Sequence, residues 1–255
     1  MDIKILVATH KKYKMPKNTM YIPLHVGREG KEDLGYVGDN TGDNISLKNP
    51  NYCELTGLYW AYKNLNCEYI GLCHYRRYFT TKSLFTRVVK ANERLNLILD
   101  ERDVENLLSQ YELVLPKKRH YYIETVESHY KNAHYMADLS RVKQIIEEKY
   151  PEYSSSFDKV MNGTTLHLYN MFLMKKEYFD NYCGWLFDIL FTLESEMDLS
   201  RYDSYQSRVY GFLSERLFNV WIEKQQLNYI EIPILNMEKI NWFKKIESFL
   251  KRKFS

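Results

Sequence analysis

The sequence predicts an α/β domain of the Rossmann type, and three features predict it. An apolar run from Ile3 to Ala8 breaks abruptly into the polar Thr9-His10-Lys11-Lys12, as a buried strand does where it delivers a loop to a ligand. A segment with helical apolar spacing, Tyr52 to Leu65, leads directly into a second short apolar run, Tyr69 to Cys73. Strand-like and helix-like segments then alternate as far as Ile232.

Taken in order, Ile3 to Ala8 is the first strand and Met20 to Val26 a short second one. Gly27 to Asn51 is a long Gly/Asp/Asn-rich loop, a length that in compact domains usually accompanies function or disorder. In YCELTGLYWAYKNL, Leu55, Leu58, Tyr59 and Tyr62 fall on one helix face, and Tyr69-Ile70-Gly71-Leu72-Cys73 follows as a strand. The middle offers a charged helix near Val104 to Tyr111, a strand at Glu112 to Leu115, and a His/Tyr-rich stretch from Arg119 to Tyr135. A helix from Met136 to Lys149 stops at Tyr150-Pro151, because the residue before proline is pushed out of helical geometry. Leu166 to Met174 reads as a central strand with an aromatic-rich helix, Tyr178 to Ser195, behind it. A helix from Tyr205 to Gln225 and a strand at Tyr229 to Ile232 complete the pattern. No internal repeat or Pro/Gly linker interrupts it, so residues 1–241 form one domain, with 242–255 set apart as a basic tail.

Charge and composition narrow the function. The formal charge of the 255 residues is +3, but the tail from Trp242 to Ser255 carries +4, which leaves the body at −1. A dedicated nucleic-acid binder needs a basic face spread over its fold, so no nucleic-acid partner is expected. With 45% hydrophobic and 27% charged residues, the chain is neither disordered nor fibrous. The first apolar run is too short for a signal peptide, and no stretch approaches the roughly 20 apolar residues of a membrane span, so a cytoplasmic protein is expected. The four cysteines form no Cys-x-x-Cys pair and read as buried free thiols.

Familiar catalytic signatures fail in turn. There is no Gly-x-Gly-x-x-Gly, and Gly30-Lys31 precedes Glu32 where a phosphate-binding P-loop needs Ser or Thr. Asp39 to Asn44 opens like a calcium loop, but its sixth position is Asn44 rather than Gly and its twelfth is Pro50 rather than Glu. No His-Glu-x-x-His, Gly-x-Ser-x-Gly or zinc-spaced Cys/His cluster occurs.

Four groups of residues remain as candidates. His74, Arg76 and Arg77 in CHYRRY follow an apolar strand directly, and adjacent guanidiniums there suit a phosphate or diphosphate; a solvated edge accounts for them equally well. Asp39, Asn40, Asp43 and Asn44 offer groups for a ribose or sugar, although local chemistry alone favours an Asx-rich turn. Thr9, His10 and Lys11 stand where a nucleotide would meet the first strand. Arg208 and Glu215, seven apart, share a helix face, and a carboxylate on an aromatic face suits a general base; spacing alone favours an ion pair.

Together, ILVATHK, GDNTGDNISLKN, YCELTGLYWAYKN, YIGLCHYRRYF, YNMFLM, YCGWLFDIL and GFLSERLFNVW resemble a bacterial family of capsular and exopolysaccharide synthesis proteins. That family was long filed as a domain of unknown function and includes galactofuranosyltransferases. The resemblance spans residues 3 to 225 and implies a GT-A-like, Rossmann-type fold and a sugar-nucleotide-dependent glycosyltransferase. It implies a UDP-sugar donor, most simply UDP-galactofuranose, and a glycan or lipid-linked oligosaccharide acceptor, joined with inversion. UDP-galactopyranose, an N-acetylhexosamine donor, and a non-catalytic scaffold of a polysaccharide assembly complex are the alternatives.

Many GT-A enzymes carry an Asp-x-Asp metal motif after the strand occupied here by Tyr69 to Cys73, and this sequence contains no Asp-x-Asp. No cofactor is therefore expected, and Arg76 and Arg77, with His74 and Lys11, take the metal's place opposite the leaving diphosphate. Glu215 is the first choice for the base and Asp203 the second, while Asn170 and Met171 are expected to line the sugar pocket. In the tail, apolar positions 242, 243, 246, 249, 250 and 254 recur at helical spacing against a basic face. That is the pattern of an amphipathic helix lying on an anionic membrane, and equally of a C-terminal helix packed on the domain with a solvated basic face.

Overall fold

The computed structural model describes residues 1–82 and 91–238; the basic tail expected over 242–255 lies outside them. Among the described residues, nine strands form one sheet whose path runs β10-β6-β9-β4-β1-β2-β3. These are β1 (Ile3–Thr9), β2 (Tyr21–His25), β3 (Val37–Gly38), β4 (Tyr69–His74), β6 (Leu113–Pro116), β9 (Phe172–Lys175) and β10 (Tyr229–Ile232). Off that path, β5 (Arg77–Phe79) folds back on β4 and pairs with β11 (Ile234–Asn236). A separate two-residue ladder joins β7 (Arg119–His120) to β8 (Thr165–Leu166).

The apolar runs are strands because they are buried on both faces. Along β1, Leu6 and Ala8 enter one core cluster while Ile3, Ile5 and Val7 enter the other, and β4 divides Ile70 and Leu72 from Tyr69 and Cys73 in the same way. The first cluster takes the helices α2 (Leu55–Asn64), α4 (Val126–Ala133), α5 (Met136–Lys149), α6 (Ser154–Asn162), α7 (Lys176–Glu196) and α8 (Val209–Gln225). The second takes α3 (Glu101–Leu108) with β5 and β11.

Strand order positions the site. β1 pairs in parallel with β2 on one side and with β4 on the other, so the winding direction reverses between β1 and β4. Open α/β sheets hold ligands at that switch point, beyond the carboxyl ends of the strands. Here those ends are Thr9 and His74. β9 runs antiparallel between β4 and β6, which carries its amino end to the same edge.

The structure departs from the sequence pattern in three places. The helix expected over Tyr52 to Leu65 is broken at Cys53, whose φ of 53° and ψ of −130° separate α1 (Asn49–Tyr52) from α2. Gly211 lets α8 approach this break closely: a Cβ there would stand 3.2 Å from Cys53 Sγ. The strand expected over Leu166 to Met174 is divided by Tyr169 and Asn170, whose φ values are 73° and 51°. The helix expected from Tyr205 begins as a 3-10 turn over Gln206–Arg208 and becomes α8 only at Val209.

Cys67, Cys73 and Cys183 are buried free thiols, as the sequence indicates, and Cys53 is free and half-buried. Among the described residues, no helix is long and apolar enough to cross a membrane. Gly71 tests the packing at the centre of the sheet, because a Cβ there would lie 2.2 Å from Leu173 Cδ2 and 2.9 Å from the Phe172 carbonyl oxygen. Backbone cannot yield as a side chain can, so Gly71→Ala should destabilise the fold by about 1–3 kcal/mol, seen as a lower midpoint in urea or thermal unfolding.

Candidate active site

The HYRR motif is a two-residue hairpin. His74 ends β4, Arg77 begins β5 opposite it, and Tyr75 and Arg76 make the turn. Tyr75 N–H donates to the Ala8 carbonyl at 3.1 Å, which ties the hairpin to the end of β1. The two arginines therefore diverge, because successive residues leaving a strand point to opposite sides. Arg76 lies over the Tyr75 ring at 4.9 Å and pairs with Glu238 at 3.2 Å. Arg77 lies over the Tyr169 ring at 4.3 Å, and its buried Nε has no hydrogen-bond partner among the described residues. The motif is thus two cationic positions rather than one clamp.

Around Arg76 the neighbourhood is positive. Lys11 Nζ stands 5.2 Å from the Tyr75 ring centre, and the His10 ring meets the same tyrosine edge-on at 5.4 Å. Burial, then the charges of Lys11, Arg76, Lys31 and Arg208, hold the His10 pKa below its ordinary value. Thr9 shapes the loop that brings Lys11 there, its hydroxyl donating to the Lys11 carbonyl at 2.7 Å and accepting from the Lys11 N–H at 3.3 Å.

Around Arg77 the neighbourhood is mixed and more enclosed. His74 Nε2 donates to the Tyr169 carbonyl at 2.7 Å, and Glu215 Oε1 accepts from the Tyr169 N–H at 2.8 Å. Asn170 Nδ2 donates to Glu54 Oε1 and to Ser214 Oγ, both at 2.9 Å. Burial raises the Glu215 pKa, with Arg216 and the Tyr169 N–H opposing, Glu54 adding to the rise, and Arg77 opposing it in turn. Burial likewise lowers the His74 pKa. A neutral imidazole therefore donates to the left-handed turn while a carboxylate receives from it.

The remaining candidates occupy varied settings. Arg208 caps α8 and donates through Nε to Cys53 Sγ at 3.2 Å, with its guanidinium over the Phe212 ring. Asp203 is exposed, and its Oδ1 accepts from the N–H groups of Tyr205 and Gln206 at 2.8 and 2.7 Å, which caps the turn before α8. Asp39 is wholly buried and holds the long loop together, accepting from Gly27 N–H, Arg28 N–H and the Ser46 hydroxyl. Asn40 donates to Glu29, Asp43 accepts from the Tyr59 hydroxyl, and Asn44 bonds Gly42 and Ser46. Of these, Asn44 Oδ1 accepting from the Ser46 N–H is the Asx-turn contact that local chemistry favours. Met171 is fully buried in the core with Tyr69 and Cys73, beneath the turn that Asn170 forms.

Sequence reasoning missed Glu54, Tyr169 and Ser214. Glu54 carried a signal: it is the lone acid at the head of an apolar helix pattern. The break at Cys53 makes it the residue before α2 and sends its carboxylate to Asn170. Among the described residues, no group of three or more His, Cys, Asp and Glu is placed to hold a metal ion.

The chain belongs to the family described as Domain of unknown function (DUF4422), whose model matches residues 4–226. No curated protein matches it. Among solved structures it is similar to the apo form of WbbM, a bifunctional glycosyltransferase, with 32% identity and a TM-score of 0.86. That match covers 94% of this chain and 46% of the other, so the chain spans about half the length of that relative.

Histidines enclosed to different degrees make stability depend on pH. Burial lowers His134 and His167 each to about 4, and His10, His25 and His74 are lowered as well. The unfolded chain, with its histidines near 6.5, takes up protons that the folded chain refuses. Their contribution is therefore fully present above pH 6.5 and is lost as pH falls from about 6.5 to about 4. The thermal midpoint should drop through this window, and His134→Gln should reduce the slope.

Proposed function

We propose that this chain is a sugar-nucleotide-dependent glycosyltransferase that binds the donor diphosphate across the carboxyl ends of β1 and β4. One observation carries the reading: Lys11, His10 and Arg76 gather on the Tyr75 ring at the switch point, and Arg77 stacks on Tyr169, whose N–H donates to Glu215. The family membership and the likeness to a bifunctional glycosyltransferase support it.

The chemistry follows from the charges. An acceptor hydroxyl attacks the anomeric carbon, the bond from that carbon to the diphosphate oxygen breaks, and the hydroxyl proton passes to a base. Negative charge accumulates on the departing diphosphate, where Arg76, Arg77 and Lys11 stabilise it. Glu215 is the base of this proposal, because burial raises its proton affinity toward what a general base needs at neutral pH. Asp203 is the second candidate. His74 acts as a positioning residue through the Tyr169 carbonyl.

The resemblance to polysaccharide-synthesis proteins makes UDP-galactofuranose the proposed donor, transfer inverting, and a capsular or surface glycan the product. An acceptor on a membrane lipid would suit a chain whose tail, residues 242–255, is basic and amphipathic, and would place it at the inner face of the cell membrane.

UDP release from UDP-galactofuranose and an acceptor glycan tests the proposal, and the turnover should persist in EDTA. Arg77→Ala should reduce kcat by about 10²–10³-fold, as expected for loss of a donor to developing charge. Glu215→Gln should cost about 10²–10⁴-fold. In the native protein the acid limb of the kcat profile should lie above the ordinary range of a free glutamate, in the direction of the raised Glu215 pKa. Normal turnover by Glu215→Gln at every pH would move the base elsewhere.

A further inference from the structure

A cleft of about 390 Å³ is lined by residues of α6, α8 and the edge strand β10, away from the ends of β1 and β4. His167 forms part of its lining and is 1% exposed. The position is built with care: Asn219 on α8 accepts from the His167 N–H and donates to the His167 carbonyl, both at 2.9 Å. The ring Nδ1 lies 2.7 Å from the Pro116 carbonyl oxygen. A carbonyl can only accept, so that bond puts the ring proton on Nδ1 and leaves Nε2 as a bare lone pair. Burial keeps the ring neutral, with its pKa lowered to about 4.

Nothing among the described residues satisfies that lone pair. His167 Nε2 is buried without a hydrogen-bond partner, and the charged oxygen facing it, Glu231 Oε1 at 3.7 Å, is itself an acceptor. Two acceptors thus face each other with no donor between them, an arrangement that folded proteins resolve with a hydroxyl or a water. The cations nearby are already matched: Lys159 pairs with Glu223 at 2.6 Å, and Lys118 stands 4.0 Å from Glu231. A charged ligand would have to break those pairs, whereas a neutral one rich in hydroxyls would not. Tyr229, half-exposed on the edge strand, adds an aromatic surface of the kind that packs on sugar rings.

We propose that this cleft binds a neutral saccharide, one of whose hydroxyls donates to His167 Nε2. Its position deepens the proposed function and rests on that reading: Glu215 and Glu223 are eight residues apart on α8, about 12 Å along its axis. His167 lies two residues before Tyr169 on the segment that runs into the crevice. The cleft would hold acceptor sugars already joined while the reacting hydroxyl lies at Glu215.

The test is NMR titration of the full chain with lactose and globotriose, following the His167 ring and Tyr229 signals, beside a separate assay for sugar transfer. Saturable shifts at both residues are expected, together with an unprotonated Nε2 at pH 7. His167→Phe, which removes the acceptor, and Val160→Trp, which fills the cleft from a half-buried wall position, should each weaken binding at least tenfold. If His167→Phe does not fold, Val160→Trp still decides the matter. Absence of saturable shifts, equal binding by Val160→Trp, or a protonated Nε2 at pH 7 would overturn the proposal. Saccharide binding without any sugar transfer would refute the transferase reading alone, and transfer with no response at His167 would refute the cleft alone.

Discussion

The left-handed pair Tyr169 and Asn170 is the constraint on which the site depends. Non-glycine residues in this conformation cost about 1–3 kcal/mol each and persist only when their surroundings over-determine them. Here they do. Glu215 takes the Tyr169 N–H, His74 reaches the Tyr169 carbonyl, Asn170 spans Glu54 and Ser214, and Arg77 stacks on the Tyr169 ring. Those partners come from α8, β4, the kink before α2, and β5. One turn thereby joins four elements, and the same turn lets β9 enter antiparallel between β4 and β6.

This arrangement gives the polar residues two tasks at once. Glu215 supports the turn through one carboxylate oxygen, while its other oxygen lies 3.4 Å from Arg216 Nη1. With its side chain 21% exposed, it is enclosed enough for its proton affinity to rise and open enough to be reached. His74, neutral and hydrogen-bonded to backbone, holds the turn without adding charge beside Arg76 and Arg77. Positive charge is thus concentrated toward His10 and Lys11, and the carboxylates Glu54 and Glu215 are set behind it. In the proposed function this separation sets the donor diphosphate toward the cations and the base among the carboxylates.

The order of elements was legible in the sequence because burial on both sheet faces writes itself as uninterrupted apolar runs. Ile3 to Ala8, Tyr69 to Cys73 and Tyr229 to Ile232 fall within one residue of their strands, and Met136 to Lys149 matches its helix. Local chemistry also marked the crevice. Thr9 to Lys11 and His74 to Arg77 follow their strands directly, and the switch point does bring them together. Within the Asx-rich loop, Asp39 is held by the loop's own backbone and by Ser46, while Asp43 is tied to Tyr59 and Asn64 of α2.

By itself the sequence determined the class of fold, the strands at the switch point, and the cationic residues that follow them. These depend on periodicity and on immediate neighbours along the chain. Only the tertiary structure decided that Arg76 and Arg77 part company, that Cys53 breaks a helix to aim Glu54 inward, and that Glu215 meets Tyr169 across 46 residues. Positive φ at a cysteine, a tyrosine and an asparagine has no local cause, because their intrinsic preferences oppose or barely favour it. It is imposed by hydrogen bonds and close packing from segments far away in the chain, and no window of sequence contains them.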